Sequence, residues 1–130
     1  MLALDFEKLN QIKGRNISQK TLSEVASFRV LRECVRIPSY AKNTVRRAKN
    51  TTFIYGNNQA FRVVKDKMHV KFVQKFYKIF SSSANATGEH FCMDWALKNS
   101  DVWICDSRKF EEKKASRIYK IFRKKMKKVR

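Results

Sequence analysis

Residues 31–48 read "LRECVRIPSYAKNTVRRA", and the fold turns on whether they make two helices around a turn. Leu31 and Val35 continue an apolar series that starts at Val25 and Phe28. Spacings of three and four place that series on one helical face. Pro38 ends the run, because it lacks an N–H and biases Ile37 out of helical geometry. The pattern predicts a helix that resumes at Tyr40 or Ala41 and runs to Asn50. In that helix Val45 and Ala48 face the first helix. Lys42, Asn43, Thr44, Arg46 and Arg47 then point outward, with Tyr40 and Lys49 at the ends of the basic run.

The neighbouring segments extend the reading in both directions. Residues 3–13 suit a short helix closed by Gly14. Thr21 and Glu24 have capping-box spacing, which predicts a helix start there. Downstream, the β-prone residues 52–55 and 60–64 flank "GNNQ", whose Gly and Asn tolerate the positive φ of tight turns. Residues 66–80 return to helical spacing, with an apolar stripe through Phe72, Phe76 and Phe80 opposite a row of lysines. "SSSANATG" reads as a loop, and a third apolar unit carries Trp95 and Trp103. Residues 107–130 read as one basic C-terminal helix. The expected fold is mainly α with one β-hairpin, a single domain over residues 1–130. Residues 18–65 form its head and residues 66–106 its core-completing helices.

Charge narrows the function. Thirty Lys and Arg against eleven Asp and Glu leave +19 in 130 residues. Self-repulsion on that scale calls for a polyanionic partner, and nucleic acid is the default. No segment is long and apolar enough to be a transmembrane helix. The first residues, "MLALDFEKLN", place Asp5 and Glu7 too early for a secretion signal. The expected location is intracellular, in the cytoplasm or nucleoid, with an organelle matrix as the alternative. Cys34, Cys92 and Cys105 are odd in number and widely spaced, so reduced thiols are expected rather than a disulfide framework.

The "LRECVR", "IPSY", "AKNTVRRA" arrangement resembles helix-turn-helix regulators and transposases, whose second helix often reads Ser-Arg-Asn-Thr-Val-Arg-Arg-Ala. The chain departs from their pattern at Val35, Pro38 and Ser39. The hairpin after Asn50 resembles the wing of winged-helix proteins. The resemblance implies a sequence-selective DNA-binding protein that inserts the helix of residues 41–50 into the major groove. Arginine and asparagine side chains would read base edges there. Asn57, Asn58, Arg62 and Lys65 would be wing contacts. Arg117, Lys120, Arg123, Lys124 and Lys127 of the basic tail would hold phosphates. Paired half-sites imply a homodimer.

Two alternatives stand beside this reading. A basic RNA-binding structural component of a ribosome or another large ribonucleoprotein would use the same cations on folded RNA. "FRVLRECVRIPSY" also resembles the Leu-Tyr-Arg motif proteins of mitochondria, although Ser27, Phe28 and Arg29 replace that triplet. Enzymatic chemistry is not expected, because no phosphate-binding glycine loop, nucleophile elbow or carboxylate pair stands out. His90, Cys92 and Cys105, with Cys34 or His69, lack the short spacings of structural zinc modules. No metal and no cofactor are expected.

Overall fold

The structure is a computed structural model that describes residues 1–105, 107, 108 and 115–130. In chain order its elements are β1 (Leu2–Ala3), α1 (Phe6–Ile12), β2 (Leu22–Val25), α2 (Phe28–Cys34) and, after a 3-10 turn at Ser39–Ala41, α3 (Lys42–Arg47). They continue as β3 (Thr51–Ile54), β4 (Ala60–Val63), α4 (Lys67–Val73), β5 (Ile79–Ser81), α5 (Met93–Lys98), β6 (Arg117–Ile121) and β7 (Met126–Lys128). Among the described residues the strands form one seven-stranded mixed sheet, ordered β1-β5-β2-β4-β3-β6-β7. This α/β architecture corrects the mainly α expectation and, with it, the helix-turn-helix or winged-helix head.

Each correction has a local cause. Thr21 does not cap a helix; its hydroxyl lies 3.1 Å from Asn10 Oδ1, and Glu24 is buried within β2. The helix starts instead at Ser27, whose Oγ accepts from the Val30 N–H at 3.2 Å. Residues 66–80 split into α4 and β5. Phe72, in α4, still meets Phe76 at 5.2 Å, but Phe76 lies in the bend beyond the helix and Phe80 sits in β5 against Phe6 at 5.5 Å. The expected basic C-terminal helix is a hairpin where it is described: β6 pairs parallel to β3 and antiparallel to β7. Its turn closes through Phe122 N–H to the Lys125 carbonyl at 2.8 Å. That turn contains no Gly, Asn or Pro, so nothing local announces it. Residues 109–114 of that stretch lie outside the described residues.

The hairpin expected after Asn50 is present as β3 and β4, with Asn58 at φ +58°. It is no peripheral wing. β4 pairs parallel with β2 on one side and β3 pairs parallel with β6 on the other, so the hairpin is the middle of the sheet. Strand alternation then assigns the two faces. Val25, Phe61, Phe53 and Ile121 form one core with Leu31 of α2 and Val45 of α3. Each such side chain contributes about 1.5–3 kcal/mol on burial. A smaller core joins Val64, Val73 of α4 and Ile79. Lys13, at the end of α1, is buried; its ammonium donates to the Ser83 and Asn85 carbonyls and sits 5.6 Å from the Trp95 ring centre.

Candidate nucleic-acid interface

The segment between α2 and α3 carries the first wall of the site. Val35 ends α2, and its N–H bonds the Leu31 carbonyl at 3.0 Å. Pro38 then turns the chain in extended geometry (φ −57°, ψ 145°) before the 3-10 turn. Ile37, Ala41 and Val45 are buried, which anchors this wall to the core. Arg32, Arg36 and Lys42 are left exposed on its outer side.

Two hairpin tips complete the site. The β3–β4 tip contributes Asn57 and Asn58, and the β6–β7 tip contributes Lys120, Phe122 and Arg123. Together the three segments enclose an open cleft of about 1270 Å³. Five cations line it: Arg32, Arg36, Lys42, Lys120 and Arg123. Glu33 is the one carboxylate among the described lining residues, and it lies 3.8 Å from Arg29. The deeper part of the cleft is apolar, formed by Val35, Ile37, Tyr55 and Ile121. Among the described residues, opposite-signed charge is therefore nearly absent where the cations converge, and the rim carries a positive potential.

Tyr40 ties two of the walls together. Its hydroxyl lies 2.9 Å from the Phe122 carbonyl and 2.5 Å from the Lys125 carbonyl. The 3-10 turn is thereby clamped to the β6–β7 tip, across 82 and 85 residues of chain. Loss of phenol hydration at this contact pushes the Tyr40 pKa up.

The expected contact residues divide into three groups. Lys42, Asn57, Asn58, Lys120 and Arg123 converge on the cleft. Asn43, Thr44, Arg47 and Lys49 are exposed around α3 but do not line it, and neither do Lys65, Lys124 and Lys127. Arg46 folds back over the Phe28 ring at 4.9 Å, and Arg117 donates to the Lys49 carbonyl at 3.3 Å. α3 spans six residues rather than the expected ten, because Ala48 already has extended geometry leading into β3.

Arg62 belongs to neither the cleft nor a wing. It reaches Glu24 at 3.4 Å, Thr52 at 3.3 Å and Ser116 at 2.8 Å. Glu24 also meets His69 Nε2 at 2.9 Å. Burial opposes ionisation of Glu24, but the hydrogen bond and charge of His69, with the Arg62 charge, outweigh it and hold the carboxyl below its ordinary pKa. This network gives no sequence signal, since its members come from four strand regions and α4.

Arg32 and Arg36 were absent from the expected contacts, although their place beside the Pro38 turn was a usable clue. Cys34 is half-buried, Cys92 and Cys105 are exposed, and all three are unbridged. Among the described residues, no three His, Cys, Asp or Glu side chains converge as metal ligands. No helix among them is long and apolar enough to cross a membrane. No family model, curated protein or solved structure matches the chain.

Proposed function

We propose that the chain is a non-enzymatic nucleic-acid-binding protein whose contact surface is the cationic cleft. One observation carries this reading. Among the described residues, five cations from segments almost a hundred residues apart converge around one opening with a single carboxylate beside them. A well-solvated basic surface needs no such convergence, whereas a row of phosphates does. The net charge of +19 supports the same partner, because bound polyanion relieves self-repulsion. Neither a helix-turn-helix nor a groove-length helix is part of the proposal.

Binding of fluorescent DNA and RNA across a salt series tests it. Five neutralised phosphates give log K against log salt a slope of roughly −3.5 on a single strand and about −4.5 on duplex DNA. The combined Lys42→Gln, Lys120→Gln and Arg123→Gln variant is expected to flatten that slope by about 2–3 and to weaken binding at least about tenfold at low salt. Matched substitutions at Lys65, Lys124 and Lys127, outside the cleft, serve as the control. Equal loss from both sets would show that the cleft is not the contact surface.

A further inference from the structure

We propose that the cleft takes a single-stranded segment of nucleic acid, with an unstacked base laid against its apolar floor. This rests on the cationic cleft being a nucleic-acid site and adds the form of the ligand. A duplex offers phosphates outside and keeps its bases stacked within, so it would leave the floor of Val35, Ile37, Tyr55 and Ile121 unfilled. A single strand offers both parts: phosphates for the rim and a flat base for the floor.

Three further features fit a base. Tyr55 lines the cleft and is 1% exposed, yet its buried hydroxyl has no hydrogen-bond partner among the described residues. Such orphans are rare in folded interiors, and the polar edge of a base seated on the floor supplies the missing partner. Phe122 stands at the rim, 37% exposed, with the Lys120 ammonium 5.6 Å from its ring centre. An exposed ring beside a cation is the pairing by which single-strand binders stack a base and hold its phosphate. Asn58 also lines the cleft, and its side-chain amide can both donate to and accept from the edge of a base. The volume of about 1270 Å³ exceeds the roughly 300–1,000 Å³ of a drug-sized ligand pocket, which favours several linked nucleotides over one free nucleotide.

The experiment compares a labelled ten-nucleotide strand, as DNA and as RNA, with its duplex and with an abasic backbone of equal charge. The full-length protein, Phe122→Ala and Tyr55→Phe are measured in about 0.3 M salt. Tyr55→Phe keeps the ring and removes only the orphaned hydroxyl, so its thermal unfolding is expected to stay cooperative. The strand is expected to bind at least about tenfold tighter than duplex or abasic backbone. Phe122→Ala is expected to weaken the strand about 5- to 50-fold, with the salt slope and the abasic affinity unchanged. Tyr55→Phe is expected to weaken it about 3- to 10-fold in the same selective way.

Equal or tighter binding of duplex or abasic backbone overturns the single-strand inference but leaves the cationic cleft standing, provided the cleft charge variants still weaken binding. Displacement of the strand by micromolar nucleoside monophosphate also overturns it, in favour of a free-nucleotide site. If the strand binds selectively and Phe122→Ala and Tyr55→Phe leave it untouched, the floor is not the base site and the inference fails. Loss of no binding in the cleft charge variants removes the underlying reading as well.

Discussion

Glu24 is the residue on which the second face of the sheet depends. It is 2% exposed and holds both Arg62 and His69. Glu24→Gln leaves Arg62 without its counter-charge and is expected to cost about 3 kcal/mol, the lower end for breaking a buried pair, because Arg62 keeps part of its side chain in water. Urea unfolding at pH 7 measures this, and a loss below about 0.5 kcal/mol would show that the network is not structural. The pH dependence follows from the depressed Glu24 pKa. Below about pH 4.3 the unfolded chain takes up a proton that the folded carboxyl still refuses. The stabilisation is therefore complete above that pH and declines as the pH falls toward the folded pKa. Glu24→Gln is expected to flatten this part of the acid-unfolding profile. None of these partnerships was legible from the sequence, where Glu24 has the spacing of a helix cap. A buried ion pair across a sheet depends on register, and register is set by strands 38 residues apart.

At the scale of elements, the cleft depends on how the β6–β7 hairpin is held. Tyr40 provides the clamp through the Phe122 and Lys125 carbonyls. Tyr40→Phe removes that hydrogen bonding and is expected to cost about 1 kcal/mol. Its clearer effect should be local: faster amide hydrogen exchange at Phe122 and its neighbours, with α2 and β4 unchanged. Uniform exchange across the molecule would argue against a clamp. The central hairpin was legible because "GNNQ" supplies residues suited to positive φ, and Asn58 takes that conformation. The helix expected over residues 3–13 was legible at its end, where Gly14 takes φ +63°, but not at its start: Leu2–Ala3 is a strand, and Asp5 caps the helix only from Phe6, accepting from the Glu7 N–H at 2.8 Å. β6 and β7 were not legible, because "RIYKIFRKKMKK" carries lysines and arginines that favour helix and no turn-forming residue.

For the whole molecule, β6 and β7 complete both the sheet and the cleft. Tyr119 stacks near Phe53 at 6.0 Å, and Ile121 is 3% exposed. Deleting residues 117–130 bares one edge of β3, exposes Phe53 and Tyr55, and removes Lys120 and Arg123. The shortened chain is expected to lose its cooperative thermal transition and to aggregate, as a bared hydrophobic strand edge invites pairing with other chains. A cooperative melt within a few degrees of the full chain would show that the sheet closes without its last hairpin. Composition alone determined that this protein carries +19 and has apolar material for one core. Local residue chemistry determined the first helix, the Pro38 turn and the central hairpin, because caps, proline and positive-φ residues act over a few positions. The tertiary structure alone decided that the basic tail is a hairpin beside β3, and that Arg32, Arg36, Lys42, Lys120 and Arg123 share one opening. Parallel pairing joins residues more than sixty positions apart. No pattern of neighbouring residues encodes that, because its stability comes from the apolar faces that meet only after the chain has folded.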